Sequence, residues 1–150
     1  MWDSKRHCCL SMTSGKLDFS SLRNALARLA EGYQRYQTVV NDIQIRDGLI
    51  QRYEFTYEIS HKMLKRHLEM IAANPEAFDA LPFADLIRTG NEQSLLKSDW
   101  SVWKIFREMR ALANNALEDQ AALEIVRIIP LFIEEIEFLK HQLGEHRVSH

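Results

Sequence analysis

Between Ile43 and Ala73 the chain runs without a proline until Asn74-Pro75 ends the stretch. No other feature limits the fold as much. Read as one α-helix, roughly 31 residues at 1.5 Å each make a rod about 46 Å long. The residue before a proline is pushed out of the α region, so the helix should stop at this pair. Ile45, Leu49, Tyr53, Ser60, Leu64, Leu68 and Ile71 recur at helical spacing and form the main inward stripe. Phe55, Ile59 and Met63 lie on a different side. One apolar side then packs inward, while the other meets a third helix or a second subunit.

Four further helices follow from the same periodicity. The first spans about Phe19 to Val40, with Leu22, Leu26, Leu29, Tyr33 and Tyr36 inward and Asp18 or Ser20 as its cap. Asn41 and Asp42 separate it from the long helix. A short helix runs from about Pro82 to Leu95, with its proline in the first turn. Ser98 or Asp99 caps a fourth, from Trp100 to about Asn114. Asp119 caps the last, from about Gln120 to Leu143, which Gly144 ends. Pro130 falls inside this last helix and should kink it. Ile125, Ile129, Phe132, Ile136, Leu139 and Leu143 carry the apolar stripe across the proline, so the helix continues. The expected fold is all-α: an antiparallel up-and-down bundle of about five helices with short connections.

A chain of 150 residues with five Gly and three Pro is long enough for one packed domain and poor in loop-forming residues. That domain is expected over residues 16–144. An N-terminal extension, 1–15, is expected to be disordered, with Met12 as an alternative start, and 145–150 form a short tail. The net charge of −2 supplies no global attraction to nucleic acid, so such binding would need a local basic patch. Cys8 and Cys9 are adjacent and have no third cysteine to pair with, which fits a reducing cytoplasm. The opening residues lack the long apolar stretch expected of a signal peptide, and no other run reaches membrane-spanning length.

Two polar stripes carry the candidate chemistry. On the long helix Asp47, Gln51, Glu54, Glu58 and Lys65 share one side, which suits either a solvated face or a binding face. Arg46 projects into the apolar stripe, where a guanidinium needs a carboxylate partner or a ligand. On the fourth helix Trp103, Arg107, Arg110 and Asn114 form a continuous stripe beside Val102, Phe106 and Met109. Two guanidinium groups next to an indole can hold a phosphate and stack a base, or anchor a subunit interface. The histidines do not converge: His61 and His67 are six apart on the long helix, and His141, His146 and His150 fall near the C-terminus. His7-Cys8-Cys9 lacks the spaced ligand pairs of a structural zinc site, so no metal site is expected. The chain has no glycine-rich phosphate loop, nucleophile elbow or His-Glu-x-x-His.

The stretch from Arg46 to Glu69, RDGLIQRYEFTYEISHKMLKRHLE, resembles the second helix of the nucleotidyltransferase substrate-binding family, a branch of the HEPN superfamily. The fourth-helix stretch REMRALANNALED is similar to that family's own version, and the likeness extends over about Lys16 to Leu143. The resemblance implies a small all-α protein that partners a minimal nucleotidyltransferase, forms a homodimer and builds a cleft presenting substrate to the separate catalytic chain. The residues assigned to that cleft are Arg46, Gln51, Glu54, Glu58, Trp103, Arg107, Arg110 and Asn114. No cofactor is intrinsic; a nucleotide would arrive with Mg²⁺ held by the partner.

Related ribonucleases carry an Arg, four to six residues and a His, sometimes with a Tyr two positions later. Here Arg110 takes the Arg position, Asn115 the His position and Leu117 the Tyr position. An asparagine cannot exchange a proton near neutral pH, so no catalytic residue is expected. His61 stands where the family often has Trp, which implies packing. Two alternatives remain open: a degenerate ribonuclease of a toxin–antitoxin-like pair, and an oligomeric helical scaffold without ligand. RNA ranks behind the protein partner as a ligand, and neither DNA nor a membrane is expected.

Overall fold

The computed structural model describes residues 19–148, and those residues form five α-helices and no strand. They are α1 (Ser20–Thr38), α2 (Ile43–Ile71), α3 (Phe83–Glu92), α4 (Trp100–Leu112) and α5 (Asp119–Val148). Short 3₁₀ turns at Pro75–Phe78 and Ala113–Asn115 lead into α3 and out of α4. The expected N-terminal extension, the His7-Cys8-Cys9 triplet, Asp18 and His150 lie outside the described residues.

Side-chain contacts give the direction of each helix. Arg52 and Thr56 of α2 donate to the carbonyls of Arg28 (2.6 Å) and Ala25 (3.3 Å) of α1. Numbers rise on one helix as they fall on the other, so the pair is antiparallel. Trp103 of α4 meets Glu135 of α5, and Phe106, one turn later, meets Phe132, one turn earlier, so this pair is antiparallel too. The up-and-down bundle is the architecture expected from the periodicity.

The core follows the stripes. Leu22, Leu26, Leu29, Leu49, Tyr53, Leu64 and Leu68 are buried, as are all six α5 residues from Ile125 to Leu143 that keep the stripe running past Pro130. Tyr53 is a hub: its hydroxyl donates to the Phe106 carbonyl at 2.6 Å, and its ring meets Phe132 edge-on at 4.8 Å. Burial pushes its phenol far above the usual range, so the hydroxyl stays a donor. Ile71, the last residue of α2, departs from the stripe and is 42% exposed. On the second side of α2, Ile59 and Met63 pack against the core, whereas Phe55 remains exposed.

Caps set several boundaries. The Asp42 carboxylate accepts from the Ile45 N–H (3.1 Å), and Asp99 accepts from the Ser101 N–H (3.0 Å). Phe19 occupies the cap position of α1 and Pro82 that of α3, one residue ahead of the expected first turn. Two expectations at α5 are corrected. Asp119 does not serve as a simple cap; it opens the helix and its carboxylate binds Arg46 at 2.8 Å. Gly144 does not end the helix, which continues to Val148 through the expected tail. A glycine stops a helix only where it turns left-handed; within one it costs about 1 kcal/mol, which neighbouring turns can absorb.

Candidate functional site

The polar stripes of α2 and α4 meet along one edge of the bundle. Arg110, in the last turn of α4, reaches across to α2. Its Nη1 lies 3.0 Å from a Glu54 carboxylate oxygen, its Nε donates to Glu58 at 3.1 Å, and its Nη2 makes a further short bond to the same Glu58 oxygen. Glu54 and Glu58 are one turn apart, so both carboxylates face the same guanidinium. The hydrogen bond that Arg110 donates to Glu58 raises its pKa further; burial opposes this, and the charges of Glu58 and Glu54 add to the rise.

Arg107 sits one turn earlier on α4 and is exposed. Its guanidinium lies 5.7 Å from the centre of the Phe83 ring, a cation–π contact, and no carboxylate among the described residues pairs with it. Phe83, the first residue of α3, also meets His61 edge-on at 4.7 Å and Trp100 at 5.8 Å. Burial, then the charges of Lys65 and Arg107, hold the His61 imidazole below its ordinary pKa. Tyr57, between these groups, is pushed up to about 12 by burial, with Arg107 and Arg110 pulling the other way. The ensemble is a fixed, acid-framed arginine beside a free arginine on an aromatic shelf.

The structure gathers part of the expected set. Glu54, Glu58 and Arg110 touch, Arg107 stands beside them, and Asn114 occupies the 3₁₀ turn that prolongs α4 beyond Arg110. Gln51 lies exposed on α2, one turn before Glu54. Arg46 does not join: it is buried and its Nη2 is held by Asp119, the salt-bridge alternative of the sequence reading. Trp103 does not join either, being 1% exposed. Its indole Nε1 donates to the buried Glu135 carboxylate at 3.1 Å, and its ring meets Phe106 edge-on. An indole so placed cannot stack a ligand, because its faces are already occupied by the core.

Glu135 is the residue the sequence reading missed. One of its oxygens accepts from the Lys97 N–H (2.9 Å), the Ser98 N–H (3.2 Å) and the Trp103 indole, which pins the start of α4 and so sets where Arg107 and Arg110 emerge. Its only sequence signal is a carboxylate between Phe132 and Ile136, close to the apolar stripe of α5. Phe83, too, carries no motif of its own. Asn115, which the sequence resemblance sets at the His position, is exposed in the turn after α4, and Leu117 is 95% exposed. Among the described residues no three His, Cys, Asp or Glu side chains converge as a metal would require, and no helix is long and apolar enough to cross a membrane.

Comparison with known proteins places this geometry in context. Residues 17–145 match the family model described as nucleotidyltransferase substrate binding protein like. A Haemophilus influenzae protein named "Probable ribonuclease HepT" is 32% identical over 129 residues, covering 85% of this chain and 87% of that protein. A solved Haemophilus influenzae structure, described as the fold of a substrate binding domain of a nucleotidyltransferase, superposes with a TM-score of 0.79 at 28% identity. It covers 85% of this chain and 99% of its own. The family match spans nearly every described residue, including both polar stripes, and the solved relative repeats the helical fold. This chain belongs to the nucleotidyltransferase substrate-binding protein family.

Proposed function

We propose that this protein is a noncatalytic partner subunit of a minimal nucleotidyltransferase and acts in the cytoplasm as a homodimer. The surface formed by Glu54, Glu58, Arg107, Arg110 and Asn114 would meet the catalytic chain and its substrate. The observation that carries the reading is Arg110 framed by Glu54 and Glu58 within a chain that matches the substrate-binding family over residues 17–145. The two carboxylates orient the guanidinium, and a bidentate arginine suits a phosphate or an acidic protein surface. Arg107, unpaired and exposed, supplies the second cation. Asn115 leaves the motif without a proton carrier, which supports an accessory role over chemistry. A nucleotide would come with Mg²⁺ held by the partner's own carboxylates.

The test is a pull-down of the tagged chain from its source cells, with each co-purifying protein identified by mass spectrometry. A small nucleotidyltransferase in near-equal amount is the expected result, and joint Arg107→Ala and Arg110→Ala substitution should release it. Recovery of a dimer alone from cells that express such an enzyme would overturn the proposal.

The relative named as a probable ribonuclease favours a second reading, a degenerate ribonuclease neutralised by the same partner in a toxin–antitoxin-like pair. It predicts growth arrest when the chain is expressed alone, relieved by Arg110→Ala. Normal growth would leave the accessory reading in place.

A further inference from the structure

A second concave surface lies apart from the Arg110 edge, between α1 and α2 near their connecting turn. It encloses about 370 Å³ and is lined by Glu31, Gly32, Arg35, Ile45, Gly48, Leu49 and Arg52. Its construction differs from that of a gap left by loose packing. The Arg52 guanidinium lies across α1 at Gly32, where a Cβ would come within 3.1 Å of Nη1, and donates to the Arg28 carbonyl at 2.6 Å. Glu31 sits 3.6 Å from the same nitrogen. One face of the guanidinium system is therefore anchored while Arg52 still lines the cavity. Arg35, on the α1 side, has no carboxylate within 4 Å among the described residues. The charge balance is two cations to one anion.

The floor is Gly48, with Ile45 and Leu49 beside it. A Cβ built at Gly48 would meet nothing within 4 Å among the described residues. A glycine inside a helix is destabilising relative to alanine, and no packing contact among the described residues demands it here. What its missing side chain provides is direct access to the α2 backbone, flanked by two apolar side chains and two guanidinium groups. Small-molecule sites combine an apolar bed with a few fixed polar groups at about this volume. Paired guanidinium groups select phosphate oxygens.

We propose that this groove binds a small organic phosphate, with the phosphate on Arg35 and Arg52 and the flat or apolar body against Gly48, Ile45 and Leu49. Glu31 then accepts from a hydroxyl or amino group of the same ligand. The site stands without the partner-subunit reading, since none of its residues belongs to the Arg107–Arg110 surface.

The experiment is titration calorimetry of the full chain with AMP and, separately, inorganic phosphate. AMP should bind, and phosphate should bind more weakly because it leaves the floor uncovered. Arg35→Ala and Gly48→Leu should each weaken AMP binding about tenfold or more, and Arg88→Ala, exposed on α3 and outside both surfaces, should leave it unchanged. Gly48→Leu fills open space, so it should melt no lower than the wild type, which separates loss of the site from loss of the fold. Absence of AMP binding, or binding insensitive to Gly48→Leu and Arg35→Ala, overturns the proposal. Binding lost only on Arg110→Ala also overturns it and transfers the ligand to the other edge. The pull-down partner should be retained by Gly48→Leu, so either proposal can fail without the other.

Discussion

At the scale of single residues, three donors converge on one carboxylate oxygen. Replacing Glu135 by Ala removes the acceptor for the Lys97 and Ser98 N–H groups and the Trp103 indole at once. The Trp103 indole is the buried donor of the three, and one left unpaired costs about 1–3 kcal/mol, so a loss of that order is expected from urea denaturation. Glu135→Gln keeps a neutral acceptor and should lose less. His61 gives a pH signature. Its pKa is lower in the fold than in the unfolded chain, where it is about 6.5. The unfolded state therefore binds the proton more readily. Stability is fully present above the unfolded value and falls as the pH drops below it. His61→Phe should flatten the stability profile across that acid range, read as the melting midpoint against pH. The sequence showed that Trp103 shares a side with Arg107, but the side of a helix does not reveal depth. Only the packing of α5, with Glu135 aimed at the indole, shows that this face turns from core to surface within one turn.

At the scale of elements, two helical glycines should respond in opposite ways to the same change. Gly48→Ala enters open space and should stabilise by about 0.5–1 kcal/mol through helix propensity. At Gly90 the new Cβ would come within 3.0 Å of the Leu96 side chain and 3.3 Å of Leu64, so Gly90→Ala should destabilise. Thermal melts of the two variants provide the comparison. Periodicity made the five helices legible because each buries one stripe and the caps at Asp42 and Asp99 are local. The end of α5 was not legible, since a glycine is compatible with both a stop and a continuing helix. Asp119 was misassigned for a related reason: its cap-like position was visible, whereas its true partner, Arg46, lies 73 residues away. Arg46→Met would remove one member of that pair. With Asp119 largely exposed, it should cost only about 1 kcal/mol despite the burial of the arginine.

At the scale of the whole molecule, a net charge of −2 cannot draw an anionic ligand from a distance. Attraction must come from local cations, and the two arginines of α4 differ in readiness. Arg110 already holds two carboxylates, whereas Arg107 faces solvent over Phe83 with none. The family likeness made the stretch containing both residues legible, but it could not distinguish their states, which depend on α2 and α3 packing against α4. The acidic surface of the proposed partner would therefore encounter Arg107 first and reach Arg110 only by sharing or displacing Glu54 and Glu58. The two steps should separate in time. Arg107→Ala should slow association and flatten its dependence on salt, while Arg110→Ala should mainly hasten dissociation, both measurable by surface plasmon resonance with the purified partner. Under the proposed function, a pair of arginines one turn apart would divide one recognition event into capture and latching.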